Sequence, residues 1–293
     1  MPNYKTHSIH SEMVLPYIDK RIYIDKELLK IFSFGPDALV FSDIRTFDNQ
    51  HNKDSKLFFE CLIKTIKMCN YQYDNEIMAF LYGQLEHFIL DSTFHPYIFY
   101  VTPSIRKKYL LDNHANFELW LDDYFMEKYD KRDKKYYSKR FCQNLKLRSI
   151  IDYVYRQIYS CYYASNKYTF GTNVLLTLEN TRSNDKVIPV ITKKLGISDI
   201  SYDKLSRINP FLNTNRDEWY NPFTLEKHKE SINELWNKSV ELYMQVIEEV
   251  NGYLYDNKEY KNSIIDNDLS YDTGLPACKK KTILVTKYIN KEV

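Results

Sequence analysis

Side chains that can bind a metal recur at steps of four residues in this 293-residue chain, at His87, Asp91 and His95. A second pair, His114 and Glu118, follows at the same spacing. At about 3.6 residues per helical turn, a step of four returns each side chain to nearly the same helix face. Imidazole nitrogens and carboxylate oxygens that point from one face are suitable ligands for Zn²⁺. The pattern therefore predicts helices that carry a metal site.

The composition agrees with a helical globular protein. Hydrophobic residues make up 44% of the chain and charged residues 27%, which is ordinary globular usage. Only 6 Gly and 9 Pro are present, which disfavours tight hairpins and favours helices. No internal repeat or linker rich in Pro, Gly or Ser marks a boundary. We expect an all-α, compact multi-helix domain over residues 1–293, with the metal site within 1–125 and a helical C-terminal part over 144–293.

Apolar periodicity and capping residues predict where the main helices lie. The second is expected to end at His95, because Pro96 disfavours helical backbone in the residue before it. The segment 168–191 fits either a strand or a buried helix. The segment Ser270–Gly274 is polar enough to reach the site, but a solvent-exposed turn is expected there. The five predicted helices cover residues 54–66, 74–95, 114–129, 144–164 and 224–255.

Charge and cysteine usage exclude several classes of protein. With 41 basic and 39 acidic residues the net charge is +2, so no stable nucleic-acid partner is expected. The 5 cysteines are odd in number and show no CxxC spacing, which is typical of reduced thiols in a cytosolic protein. The N-terminus lacks the apolar stretch of a signal peptide, and no run reaches the length of a membrane span. We therefore expect a cytoplasmic protein.

The sequence resembles the zinc-dependent phospholipase C family, whose fold is shared with the P1-type single-strand nucleases. The resemblance covers roughly the first 125 residues, in the family's order, and beyond them the chain matches only in its helical character. Members are compact helical proteins with three zinc ions in one cleft. The residues that carry the resemblance are Pro2 to His7, Gly35-Pro36-Asp37, His51, the run His87, Asp91 and His95 with its Pro96, and His114 with Glu118.

This resemblance implies up to three Zn²⁺ ions and a ligand set for each. Asp91 would bridge the first two ions, and the second would also take His7 and the terminal amine and carbonyl of Pro2, after removal of Met1. The first zinc would be bound by Asp37, His51, His87 and Asp91, and the third by His95, His114 and Glu118.

The resemblance also implies roles for two carboxylates. Asp91 would hold a pair of zinc ions that share an activated water. Asp37, beside that water, could serve as a base, although its place among the ligands favours a ligand role. Asp43, Asp54 and Glu86 are acids that could orient the imidazoles, and each also fits an ordinary surface position.

Three functions remain open from the sequence. The first is a phospholipase C-like phosphodiester hydrolase acting on phospholipid or a smaller phosphate ester, with an apolar rim from Phe41, Phe47, Phe94 and Ile98. The second is a P1-like nuclease or phosphatase, with aromatic walls from Tyr97, Phe99, Tyr100 and Trp120. The third is a non-catalytic protein in which zinc only links helices. Structural zinc sites favour Cys-rich ligand sets, so His and carboxylate ligands favour an enzyme.

Two further histidines are assigned no metal. His10 has the wrong spacing from Pro2 to replace His7. His228 is expected to be a solvated helix residue. Oligomeric state and the identity of the substrate are not determined by the sequence.

Overall fold

A computed structural model describes residues 4–102, 113–130, 144–182, 211–276, 283–284 and 286–287. This part of the chain is mostly helical, which confirms the all-α prediction. Short 3₁₀ turns lie at Leu15–Tyr17, Gly35–Leu39 and Ile265–Asn267. The α-helices are α1 (Tyr4–Val14), α2 (Lys26–Phe32), α3 (Ile44–Asn52), α4 (Ser55–Met68), α5 (Asn75–Val101), α6 (Asn113–Lys128), α7 (Leu145–Tyr159), α8 (Ala164–Arg182) and α9 (Ile232–Asp256).

Within the described ranges, β-structure is limited to one small hairpin and an isolated bridge. Strands β1 (Trp219–Tyr220) and β2 (Lys227–His228) pair antiparallel, with Trp219 opposite His228. The two rings stack with centroids 4.4 Å apart. His228 therefore lies in a strand and is partly buried, and the expectation of a solvated helix residue was wrong.

Helix α5 lies at the centre of the fold, where it packs most extensively against α2 and α9. Its N-terminus is capped by Asp74, whose side chain accepts from the backbone of Glu76 and Ile77. Most of its 27 residues are buried, including the sequence Phe88-Ile89-Leu90. A helix that is apolar on nearly all sides belongs in the interior of a protein. Helix α5 is therefore the central, buried helix of the described fold.

The predicted end of this helix at His95 was wrong, because α5 continues through Pro96 to Val101. An interior proline removes one helical hydrogen bond and costs about 3 kcal/mol. Burial of the following turn offsets that cost, since Ile98 and Val101 both lie in the core. Gly274 packs directly against the carbonyl of Ser92, the group that Pro96 cannot bond.

Other helices also begin or end at residues different from those predicted, because local backbone conformation or capping sets the boundary. The helix expected over 144–164 ends at Tyr159, because Ser160 adopts a left-handed backbone with φ of 54°. The ambiguous segment 168–191 is helix α8 as far as Arg182, and residues 183–191 lie outside the described ranges. The long helix expected from 224 begins at Ile232, after a capping box formed by Ser231 and Glu234.

Two further observations bear on the sequence predictions. The cysteines that the structure describes, Cys61, Cys69 and Cys161, are free thiols. No helix in the described ranges combines the length and the apolar character needed to cross a membrane.

Candidate metal centre

A first group of possible metal ligands joins helix α1 to helix α5. His7 Nε2 lies 3.2 Å from Asp91 Oδ1, and His87 Nε2 lies 3.1 Å from Asp91 Oδ2. The two imidazole rings stack with centroids 4.3 Å apart. All three side chains are fully buried. Each oxygen of the Asp91 carboxylate is therefore shared with a different imidazole.

A second group adds the 3₁₀ turn Gly35–Leu39 and helix α3. His51 Nε2 lies 3.2 Å from Asp37 Oδ1, and His87 Nε2 lies 3.8 Å from the same oxygen. His51 Nε2 is also 3.9 Å from Asp91 Oδ2. His87 thus belongs to both groups, and the carboxylate of Asp91 lies within reach of both.

A third group lies where α6 crosses the C-terminal turns of α5. His114 Nε2 lies 2.7 Å from Glu118 Oε1, and His95 Nε2 lies 3.9 Å from the same oxygen. The side chains of His114 and Glu118 retain 17% and 12% exposure, whereas the first two groups are nearly inaccessible. This group is therefore the one closest to solvent.

The donor atoms of these groups fit zinc. Within each group of three they lie within 4.8 Å of one another. Ligand atoms at tetrahedral zinc, with bonds of about 2.0–2.2 Å, are about 3.3 Å apart, which matches the shortest separations within the first two groups. Among the described residues, the buried atoms without a hydrogen-bond partner include His7 Nε2, both Asp37 oxygens, His87 Nε2, both Asp91 oxygens and His95 Nε2.

The second nitrogen of each buried imidazole has a defined partner. His51 Nδ1 donates to the Phe47 carbonyl over 2.9 Å, and His87 Nδ1 donates to the Ser33 carbonyl over 3.0 Å. A proton fixed on Nδ1 leaves the lone pair on Nε2, which faces the carboxylates. This is the orientation that metal-binding histidines usually take from their surroundings.

The electrostatics of the first group depend on buried charge. Burial by itself lowers the pKa of His7, but the carboxylates of Glu86 and Asp91 outweigh it and raise that pKa to about 10. Burial would raise the pKa of Asp91, whereas His87 and His95 hold it well below its usual range. The group therefore favours a cation beside the ionised Asp91 carboxylate.

The backbone at Gly35 lies directly against the imidazole of His87. Gly35 has a left-handed backbone with φ of 55°, and a Cβ at this position would lie 2.3 Å from His87 Cγ. No side chain fits in that space, because real Cβ atoms do not approach other heavy atoms so closely. The glycine of the Gly35-Pro36-Asp37 motif thus lets the turn that carries Asp37 pack against the imidazole.

A C-terminal loop, Ser270–Gly274, contacts two of the groups. The Tyr271 carbonyl accepts from His95 Nδ1 over 2.6 Å, and the Tyr271 N–H donates to the His51 carbonyl over 2.9 Å. Ser270 and Tyr271 are buried. The expectation of a solvent-exposed turn was therefore wrong for this segment. The Asp-Thr-Gly sequence correctly indicated a turn, and the structure supports the alternative that Ser270–Gly274 reaches the site.

Sequence reasoning also missed a hydrogen-bonded network behind His7. Glu86, named only as one of three acids that could orient imidazoles, contacts both His7 and His10. The other two acids lie elsewhere: Asp43 caps α3 and pairs with Lys167, and Asp54 precedes α4 without a capping hydrogen bond. The signal available in the sequence was the spacing of His7 and His10, which share one face of a helix.

Of the aromatic and apolar residues predicted to line the cleft, some lie beside the possible metal ligands and others lie in the core. Phe47 lies against His51 with ring centroids 4.3 Å apart, and Phe99 lies 4.8 Å from His114. Phe41 is 49% exposed. The remaining residues of the two sets are mostly core residues, with Phe94, Ile98, Tyr97 and Tyr100 buried and Trp120 packed against Phe211.

Comparison with known proteins agrees with the geometry. A family model described as zinc-dependent phospholipase C matches residues 5–168, which span the three groups of possible ligands. Searches of curated proteins and of solved structures give no match. The predicted ligand Pro2 lies outside the described residues.

Proposed function

Since this chain belongs to the zinc-dependent phospholipase C family, we propose that it is a zinc-dependent phosphoric diester hydrolase. The observation that carries the proposal is the convergence of buried donor atoms from His7, Asp37, His87 and Asp91 that make no hydrogen bond of suitable geometry. Burying so many polar atoms without partners costs several kcal/mol, which a bound cation would offset. We therefore propose that this site binds a metal ion.

We assign the ligands by the groups that the geometry defines. Asp91, which lies between His7 and His87, would contribute to two zinc positions. Pro2, exposed by removal of Met1, would complete the position that includes His7. Asp37, His51, His87 and Asp91 would bind the first ion, Asp91, His7 and Pro2 the second, and His95, His114 and Glu118 the third.

When bound, zinc supplies Lewis-acid stabilisation of phosphoryl charge and lowers the pKa of water to near neutrality. The chain's own residues fix where this happens. The two oxygens of Asp91 face the imidazoles of His7 and His87. One oxygen of Asp37 faces both His51 and His87. We assign Asp37 and Asp91 as the carboxylates nearest the reacting atoms, with Asp37 acting as a ligand.

A catalytic role is favoured over a structural one by the donor set and by access. Structural zinc sites are typically closed and Cys-rich, whereas these groups contain only His and carboxylate. The group that includes His114 retains solvent exposure, and Phe99 flanks it. Such an opening would admit a phosphate ester with an apolar substituent, which makes phospholipid the first substrate to test.

The test is zinc content and phosphodiester hydrolysis of the purified protein. We expect about two to three zinc ions per chain and hydrolysis of bis-p-nitrophenyl phosphate that a chelator abolishes and zinc restores. Phosphatidylcholine vesicles, single-stranded DNA and a phosphate monoester then distinguish the substrate classes. His87→Asn should abolish activity, whereas His228→Asn, outside all three groups, should not. Less than one zinc per chain, or activity that survives His87→Asn, would contradict the proposal.

A further inference from the structure

Behind the first group, Glu86 lies between two histidines of helix α1. Its Oε2 is 3.2 Å from His7 Nδ1, and its Oε1 is 2.8 Å from His10 Nδ1. All three side chains have no solvent exposure. Because His7 and His10 are three residues apart, they leave the helix on the same face. One carboxylate therefore contacts both imidazoles.

The network extends from His10 to helix α9. His10 Nε2 lies 2.9 Å from the hydroxyl oxygen of Ser239, which also lies 2.7 Å from the Trp236 carbonyl. With its Nδ1 proton donated to Glu86, His10 accepts at Nε2 from the Ser239 hydroxyl. Trp236 also contacts the His10 ring edge-on, with centroids 4.9 Å apart. His10 is thereby fixed from α9 and in turn fixes Glu86.

The partner of His7 differs in kind from those of three other imidazoles in the ligand groups. His51, His87 and His95 direct Nδ1 at backbone carbonyls, whereas His7 directs it at the carboxylate of Glu86. A carboxylate partner makes a metal-bound imidazole more basic and fixes its ring orientation. Because this partner is a side chain, substitution can remove it without moving the backbone.

Stability alone does not explain a charged network in this core. A buried ion pair commonly adds little or nothing over well-packed apolar side chains, because desolvation of both charges offsets their attraction. An apolar side chain at position 86 would leave His7 Nδ1 and His10 Nδ1 without this acceptor. The position of the carboxylate against His7 Nδ1 is what an apolar residue could not supply.

We propose that Glu86 is a positioning residue that presents His7 Nε2 to the metal, and that His10 and Ser239 hold Glu86 in place. This inference rests on the proposed function, since it takes His7 as a zinc ligand. Glu86 does not touch the reacting atoms, so its effect should fall on zinc binding at the position that includes His7.

The experiment measures zinc binding by the full chain in competition with a chromophoric chelator, alongside thermal unfolding with and without zinc. Glu86→Met preserves length and removes both acceptors. We expect one zinc ion to bind about 10–100-fold more weakly, with the others unchanged. Glu86→Gln keeps one oxygen that can accept from His7, so its loss should be smaller and confined to the same ion.

The matched control is Asp122→Asn. Asp122 is a buried carboxylate on α6 that holds α1 at Thr6, since its Oδ1 accepts from the Thr6 N–H and from the Thr6 hydroxyl, each over 2.8 Å. The amide retains that oxygen and removes the charge. We expect wild-type zinc affinities from it, which would separate a specific effect on His7 from a general loss of buried charge beside α1.

The possible outcomes separate the inference from the function. A folded Glu86→Met chain that binds every zinc with wild-type affinity, or one that loses all of them equally, would overturn the positioning role. If Glu86→Met does not fold, Glu86→Gln decides, and unchanged affinity in that variant overturns the inference. A wild-type chain that binds no zinc would instead overturn the proposed function, and this inference with it.

Discussion

His95 donates its Nδ1–H to the backbone carbonyl of Tyr271, 176 residues further along the chain, over 2.6 Å. On the other side of the same loop, the Tyr271 N–H and the Ser270 hydroxyl both donate to the carbonyl of His51. One C-terminal loop therefore links α3 and α5, two of the helices that carry possible zinc ligands. The C-terminal half contributes to the site through this loop, although it supplies none of the ligands that we assign.

Gly274→Ala should displace this loop. Gly274 has a left-handed backbone with φ of 62°, and an added Cβ would lie 2.5 Å from the Ser92 carbonyl oxygen. We expect a loss of about 1–3 kcal/mol in unfolding free energy, since both the strained backbone and the clash oppose the native loop. Zinc affinity at the group of His95 should also fall, because its Nδ1 partner moves. Denaturant unfolding and chelator competition measure the two effects.

Gly252→Ala is the control for that substitution. Gly252 lies in helix α9, and an added Cβ would meet only the flexible side chain of Lys258 at 2.9 Å. Alanine favours helix over glycine by about 1 kcal/mol, so stability should be maintained or rise. Equal losses of zinc affinity in Gly252→Ala and Gly274→Ala would contradict the role assigned to the loop.

Gly35→Ala should impair zinc binding beyond its cost to stability. An added Cβ would lie 2.3 Å from His87 Cγ, so either the imidazole or the turn that carries Asp37 must shift. We expect at least a 10-fold loss of zinc affinity at the groups that share His87, because misplaced ligands weaken metal binding.

Gly252→Ala is also the comparison for Gly35→Ala. Its added Cβ would meet the flexible side chain of Lys258 in helix α9. The zinc affinity of that variant should therefore stay at wild type. Chelator competition on both variants checks this, and equal zinc affinity in the two would show that the contact with His87 is unimportant.

The zinc-free protein should lose stability with rising pH through His7. The carboxylates of Glu86 and Asp91 raise the pKa of His7 from 6.5 to about 10. A group whose pKa is raised by folding stabilises the native state below its unfolded pKa, and that contribution disappears as pH rises to the folded pKa. The contribution, on the order of a few kcal/mol, should therefore be present at pH 6 and decline between about pH 6.5 and 10.

Urea unfolding in the presence of a chelator measures this contribution. The difference in unfolding free energy between wild type and His7→Asn should shrink between pH 7 and pH 9. A difference that stays constant over this interval would show that the carboxylates do not hold a proton on His7.

Local sequence signals were sufficient where neighbouring residues determine the structure. The step of four from His87 to Asp91 placed both on one helix face, and the structure brings them to 3.1 Å. Asp74 predicted the start of α5 correctly, because a cap acts over only three residues. Pro96 misled the prediction of where α5 ends, because burial of the following turn outweighs a local preference.

Contacts between distant parts of the chain were not predictable in the same way. The bond from His95 to Tyr271 is made by a backbone carbonyl, which every residue has, so no residue type announces it. The pairing of His10 with Glu86 and Ser239 requires three helices to pack in one arrangement. The spacing of His7 and His10 showed a shared face but not which side chain would meet it.

The central claim, that Asp91 joins two zinc positions in a phosphodiester hydrolase, is tested most directly by Asp91→Asn. Metal content and hydrolysis of bis-p-nitrophenyl phosphate should be measured beside wild type and Asp122→Asn, a buried carboxylate outside the three groups. We predict that Asp91→Asn loses at least one zinc ion and falls about 100-fold or more in activity. Asp122→Asn should keep the zinc content and the activity of wild type. Full zinc content and wild-type activity in Asp91→Asn would contradict the account.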